Sequence, residues 1–157
     1  MNKRRVAGTV FAILALFSLL FIFANSLQNA SRSNSLSDPI IEKAADAVEA
    51  GGSSDAELVG YFKNFIRKTA HMFEFCIFGT MCYLAAYCLS GRHDILVLST
   101  SFAGLTAAVI DEYIQYHTPG RTGMVPDILV DFAGVTSGIL ISRLAVYIYQ
   151  RRKKGRG

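Results

Sequence analysis

The sequence predicts an all-α fold, an integral membrane four-helix bundle with a short extracytoplasmic helical segment between the first two spans. Of its 157 residues, 52% are hydrophobic and only 18% are charged, a low share of charge for a soluble domain. The apolar residues also form four long runs, each near the roughly 20 residues with which a helix crosses about 30 Å of hydrocarbon. These runs lie at about 6–24, 69–89, 95–117 and 127–149. At this length the whole chain, 1–157, is predicted to be a single membrane domain.

The first run, VAGTVFAILALFSLLFIFA, has 19 positions without a charge. A basic start at residues 3–5 and the sequence ANS at 24–26 leave a cleaved signal peptide as the alternative interpretation. The apolar run is longer than the roughly 7–15 residues of a signal-peptide core. This length favours a retained membrane anchor.

The connection between the first two runs, residues 25–66, is polar and is expected outside the cytoplasm. Pro39 and the pair Gly51–Gly52 bound a predicted helix at about 39–50. Ser54, followed by Glu57 three residues later, makes a capping box. It predicts a second helix at about 55–66, which we expect to lie on the outer membrane surface.

Basic residues are distributed unevenly between the two sides of the predicted membrane. Nine of the 16 Lys and Arg residues fall near the N-terminus, between the second and third runs, and in the basic tail 150–157, whereas six fall on the other side. Since Lys and Arg are enriched in short cytoplasmic segments, both termini are predicted to be cytoplasmic. The RRKKGR tail is interpreted as contacting anionic lipid head groups rather than nucleic acid.

The last three runs place polar side chains at matching depths near their outer ends. Glu74 and Asp111 each lie about six residues inside their span, roughly 9 Å deep at 1.5 Å per residue. An ionisable group in the bilayer costs about 2.5–3.5 kcal/mol, so these groups are expected to face one another or a wet cavity. The predicted pocket residues are Arg67, Lys68, His71, Glu74, Asp111, Glu112, Gln115, Arg121, Asp127 and Asp131.

The loop HTPGRTGMVPD, at 117–127, contains two prolines and two glycines and is predicted to be non-helical and to lie over this pocket. It brings Arg121 to the rim, where Arg67, Lys68 and Arg121 are expected to hold phosphate or carboxylate. The alternative is that the polar groups only hold the helices together. The small residues of GVTSG, at 134–138, predict close packing of the last helix against another.

Three blocks occur in a specific order: RKTAHMFEFCIFG at 67–79, DEYIQYHTPGR at 111–121 and DILVDFAGVTSG at 127–138. With this order the chain, over about 60–142, resembles the VanZ-like family of small bacterial membrane proteins. The resemblance implies a four-helix protein of the bacterial plasma membrane. Some family members are associated with resistance to teicoplanin, a phenotype that similarity alone does not transfer to this chain. The family's motif residues fall on Lys68, His71, Glu74, Asp111, Glu112, Gln115, Arg121, Asp127 and Asp131.

Three classes of function remain open. The favoured one is binding of an outer-leaflet cell-envelope molecule, either a lipid precursor or a glycopeptide. The second is an intramembrane enzyme that acts on an envelope lipid through His71 and carboxylates, with catalytic residues unknown; enzymatic activity is the less favoured expectation. The third is a purely structural or partner-binding membrane protein.

The partners expected are membrane lipids, the envelope ligand and a membrane-protein partner, with no nucleic acid. His71, Glu74, Glu112 and Asp127 could bind a divalent metal. However, the sequence has no diagnostic HxxxH spacing. The three cysteines form no CxxC pair and predict neither a zinc site nor a disulfide framework. No metal and no cofactor are therefore predicted.

Overall fold

Four α-helices form the protein as described by a computed structural model of residues 3–28, 56–90, 93–119, 121 and 123–155. They are α1 (Lys3–Ser26), α2 (Ala56–Leu89), α3 (His93–His117) and α4 (Val125–Lys154). Each contains a stretch long and apolar enough to cross a membrane. The prediction of an all-α fold with four candidate membrane spans is confirmed, and the predicted helix at about 39–50 lies outside the described residues.

Helix α2 is longer than the sequence predicted. A surface helix at about 55–66 and a span at about 69–89 were expected as two elements, but one uninterrupted helix of 34 residues covers both. The joining stretch YFKNFIRKT contains neither glycine nor proline, so nothing in it stops a helix. Its apolar part begins at Asn64, and the surface location of the preceding turns stays a prediction.

Helix α2 lies at the centre of the bundle and packs against α1, α3 and α4. Its most extensive contact is with α4, where glycines bring the two backbones together. A Cβ atom added to Gly134 would lie 2.2 Å from the carbonyl oxygen of Met72, and one added to Gly138 would lie 2.3 Å from that of Cys76. The small-residue face predicted on α4 is therefore a helix-packing face.

The interior of the bundle is apolar along most of its length, while large hydrophobic side chains also cover its outside. Phe75, Tyr83 and Val135 are completely buried. By contrast, Phe17 and Phe102 are 67% and 73% exposed. Exposed aromatic and aliphatic side chains around the outside are what a lipid-facing surface requires.

The ends of the bundle differ in composition. At one end Arg4 of α1 donates a hydrogen bond to the Tyr87 carbonyl oxygen, 2.6 Å away, and Gln150 of α4 donates to the Tyr87 hydroxyl at 3.0 Å. The start of α1 and the end of α4 therefore lie at the same end of the molecule. Most of the buried polar side chains of the described residues lie towards the opposite end.

Candidate functional site

We call this opposite region the polar end: the last turn of α1, residues 67–74 of α2, residues 111–117 of α3, the loop at 118–124 and the first turns of α4. Its position follows from the antiparallel course of the helices, since α1 and α3 end where α4 begins. Polar residues that are buried at this end are Ser26, Asp111, Glu112, Gln115, Thr118, Arg121 and Asp131.

Asp111 joins three helices at the polar end and is completely buried. Its Oδ1 atom accepts a hydrogen bond from the Ser26 hydroxyl of α1 at 2.6 Å, and its Oδ2 atom accepts one from Gln115 Nε2 at 2.8 Å. The same Oδ2 lies 3.7 Å from Nδ1 of His71 on α2. Donors from α1 and α3 thus hold this carboxylate, and Oδ2 also lies near the imidazole of α2.

Helix α1 contributes to the site in a way that sequence reasoning missed. Asn25 Nδ2 donates to Glu74 Oε1 at 3.0 Å, and Thr118 Oγ1 donates to the Ser26 carbonyl oxygen at 3.1 Å. The signal was the polar pair Asn25–Ser26 directly after an apolar run, which was interpreted only as part of a cleavage-like sequence. These contacts make α1 an integral member of the bundle.

Basic side chains of α2 reach the other two helices of the site. Lys68 Nζ lies 2.5 Å from Asp127 Oδ1 at the start of α4. Arg67 Nη2 donates to Gln115 Oε1 on α3 at 3.4 Å. Because Lys68 and Arg67 are neighbours on α2, this helix presents positive charge to both α3 and α4.

The described residues of the loop at 118–124 are non-helical, as predicted, and two hydrogen bonds hold them. The backbone N–H of Arg121 donates to the Thr118 carbonyl oxygen at 3.1 Å, and that of Met124 donates to Glu112 Oε1. Glu112 therefore holds the end of the loop where α4 begins.

Arg121 does not lie on an exposed rim, and that prediction is wrong. The residue is 8% exposed, because the turn after Thr118 folds it inward. Burial, and secondarily the positive charge of Arg67, lower the pKa of Arg121 below its ordinary value. The guanidinium nevertheless remains charged at neutral pH, so it contributes a buried positive charge to the polar end.

A cavity opens at the polar end and encloses about 250 Å³ of empty space, its mouth included. Six of the ten predicted site residues line it, together with Val130, which was not predicted. The lining residues are Arg67, Lys68, His71, Gln115, Asp127, Val130 and Asp131. The other four predicted residues, Glu74, Asp111, Glu112 and Arg121, do not line the cavity.

The residues that the structure brings close enough to bind one metal ion differ from the set that the sequence offered. Donor atoms of His71, Asp111 and Asp131 lie within 4.8 Å of one another. Glu74, Glu112 and Asp127 are instead engaged with Asn25, Met124 and Lys68 respectively. Spacing within single helices did not reveal this cluster because its three members come from three helices.

The apolar helices and their polar end define the class of this molecule: a multi-pass α-helical membrane protein with a buried polar site at one end. A family model described as VanZ/LLP1 matches residues 11–146, and the chain belongs to that family. The match also takes in most of α1, which the resemblance over about 60–142 did not include. Comparisons with curated proteins and with solved structures gave no match.

Proposed function

We propose that this protein binds the anionic head group of a cell-envelope lipid, such as a phosphate-bearing lipid precursor, in the cavity of the polar end. The observation that carries the proposal is the position of this cavity: it is lined by Arg67 and Lys68 at the end of helices whose outer surfaces are apolar. A lipid molecule has the same division, with a charged head group and an apolar tail. The tail would lie along the bundle while the head group enters the cavity.

The cavity encloses little space of its own, because its empty volume of about 250 Å³ includes the open mouth. A small anionic group such as a phosphate would meet Arg67 and Lys68 at that mouth, whereas a whole glycopeptide would lie largely outside it. In this proposal, an effect on teicoplanin susceptibility would follow indirectly, from occupancy of an envelope lipid.

Lys68 is the group most available to such an anion. Its side chain is 30% exposed, and its partner Asp127 is 17% exposed. Because the pair is partly exposed at the cavity, a phosphate can reach the ammonium group and compete with Asp127 for it. Arg67 lines the same cavity and offers a planar guanidinium suited to phosphate oxygens.

The enzymatic alternative receives less support from the residues around the cavity. None of its described lining residues is Ser, Thr or Cys, so a hydroxyl or thiol nucleophile at this position is not favoured. His71 beside Asp111 has the pairing of a general base, and that role remains a prediction.

We further propose that the polar end faces outward from the bacterial plasma membrane, with both termini in the cytoplasm. The basic residues of the chain support this orientation, and it would expose the cavity to lipid precursors of the outer leaflet.

The proposal is tested by native mass spectrometry of the detergent-purified protein, incubated with a polyprenyl phosphate or the uncharged polyprenol in the presence of EDTA. We expect the phosphate lipid to stay bound to the wild type at a collisional activation energy that removes the uncharged polyprenol. Lys68→Gln should lose most of this retention, because it removes the exposed positive charge of the cavity.

Two matched variants separate charge recognition from structural damage. Asp127→Asn breaks the same ion pair but leaves Lys68, so it should bind the phosphate lipid at least as well as the wild type. Arg151→Gln removes a basic side chain at the opposite end and should have no effect. Equal retention by Lys68→Gln and the wild type would contradict the proposal, as would equal retention of the polyprenol.

A further inference from the structure

We propose that His71, Asp111 and Asp131 form a binding site for one divalent cation beside the polar-end cavity, which His71 and Asp131 line. The three side chains come from α2, α3 and α4, and their donor atoms lie within 4.8 Å of one another. Two ligands of one metal ion, each about 2.1 Å from it, stand at most about 4.2 Å apart. Small side-chain rotations are enough to bring the three atoms onto a common ion.

The second observation is an unsatisfied acceptor in the same cluster. Asp131 is 2% exposed, lines the cavity, and its Oδ2 atom has no hydrogen-bond partner among the described residues. A buried polar atom without a partner is destabilising. A cation bound by this cluster would supply the missing interaction.

His71 adds a second donor atom of this kind. Its Nδ1 atom is buried, makes no hydrogen bond within the described part of the chain, and lies 3.7 Å from Asp111 Oδ2. That separation is too long for a hydrogen bond. An imidazole nitrogen and a carboxylate oxygen at this separation can both bind one metal ion.

Hydrogen bonds already fix the orientation of the central ligand. Asp111 accepts from Ser26 through Oδ1 and from Gln115 through Oδ2. An ionised carboxylate has about four lone-pair sites, so Oδ2 retains capacity for a cation. In metal sites, the carboxylates that bind the ion are typically also hydrogen-bonded to protein donors.

The charge balance of the polar end also favours a divalent cation. Five acidic side chains, Glu74, Asp111, Glu112, Asp127 and Asp131, stand against three basic ones, Arg67, Lys68 and Arg121. With His71 neutral and the others ionised, their formal charge is −2. A divalent ion neutralises this charge in a region where apolar surroundings make uncompensated charge costly.

The donor set indicates the chemical class of the ion. One imidazole nitrogen with two carboxylate oxygens combines a ligand preferred by zinc and the transition metals with hard oxygen donors. This combination suits Mn²⁺ or Zn²⁺ better than Ca²⁺, which takes oxygen ligands. The cavity leaves the remaining coordination positions to water or, if the proposed function is correct, to an oxygen of the lipid phosphate.

The test is binding of Mn²⁺ to the full-length protein in detergent, after EDTA treatment and removal of the chelator, measured by electron paramagnetic resonance of free Mn²⁺. We expect one Mn²⁺ per chain, displaced by Zn²⁺. Asp131→Asn should weaken binding at least about 10- to 100-fold, since even removal of an outer-shell partner costs that much. Asp127→Asn, an acid of the same cavity outside the cluster, should change the affinity only slightly.

Thermal unfolding in EDTA and in Mn²⁺ shows whether a variant has lost metal binding through a folding defect. The wild type should gain stability from Mn²⁺, as any ligand of the native state provides, and Asp131→Asn should not. If Asp131→Asn does not fold, His71→Gln takes its place with the same expectation. Absence of Mn²⁺ and Zn²⁺ binding to the wild type at millimolar metal, or unchanged binding by the folded variant, would overturn the proposal.

The cation site does not depend on the lipid proposal, and the two experiments fail separately. Lipid binding is measured in EDTA, and metal binding is measured without added lipid. Lys68→Gln should retain Mn²⁺ because Lys68 is not a ligand.

Discussion

At the scale of single residues, the carboxylate of Asp111 requires hydrogen-bond donors from other parts of the protein. Its carboxylate is completely buried, so each of its oxygens depends on protein donors. Ser26 supplies one of these donors from a helix 85 residues away in sequence. A hydroxyl at the end of α1 is therefore needed to hold a carboxylate on α3.

We predict that Ser26→Ala lowers the free energy of unfolding by about 1–3 kcal/mol, the usual cost of leaving a buried acceptor without its donor. Thermal unfolding in detergent measures this change. Ser137→Ala is the matched control, because the Ser137 hydroxyl is exposed and donates to the Ala133 carbonyl oxygen of its own helix. Equal stability of Ser26→Ala and Ser137→Ala would show that the contact with Asp111 contributes little.

At the scale of helices, the contact between α2 and α4 sets the geometry of the site. Gly134 and Gly138 allow the backbones to approach closely, and Asp131 lies one turn before Gly134 on the same face. This approach brings Asp131 towards His71 of α2. Close helix packing and assembly of the site therefore have a common cause.

We predict that Gly134→Ala destabilises the bundle by about 1–3 kcal/mol, the usual cost of overpacking a tight interior. The added Cβ would lie 2.2 Å from the Met72 carbonyl oxygen, and a backbone atom cannot move aside alone. Gly60→Ala is the control, since an added Cβ there meets nothing within 4 Å and alanine favours a helix. A thermal midpoint for Gly134→Ala at or above the wild type would refute this role.

At the scale of the whole molecule, the two ends of the bundle carry different kinds of polar residue. The polar end is rich in acids, whereas α4 ends in Arg151, Arg152, Lys153 and Lys154. A basic end remains on the cytoplasmic side during insertion. The asymmetry therefore predicts how the protein lies in the membrane.

We predict that a membrane-impermeant maleimide labels Tyr61→Cys on intact cells but labels Lys154→Cys only after lysis. Both variants are made in a background in which Cys76, Cys82 and Cys88 are replaced by alanine. Tyr61 is 67% exposed and precedes the apolar part of α2. Labelling with the opposite pattern would place the polar end in the cytoplasm and remove the basis for binding outer-leaflet lipids.

The sequence alone was enough to predict the four spans and the end of the bundle at which the acids collect. Length and hydropathy are local properties, so the spans could be predicted without knowledge of tertiary contacts. The expected depth of Glu74 and Asp111 followed from counting residues at 1.5 Å each. The same reasoning placed a non-helical loop beside them, because prolines and glycines act on the backbone where they stand.

The tertiary structure is needed to identify which of these side chains are in contact. Depth along a helix does not give rotation about its axis or the neighbour that it faces, and both are set by packing around residues such as Gly134. For this reason the sequence did not pair Ser26 with Asp111, placed Arg121 on the rim instead of in the interior, and did not bring Asp131 to His71. The position of each polar residue along its helix follows from the local sequence. The partner that each residue contacts depends on how the helices pack.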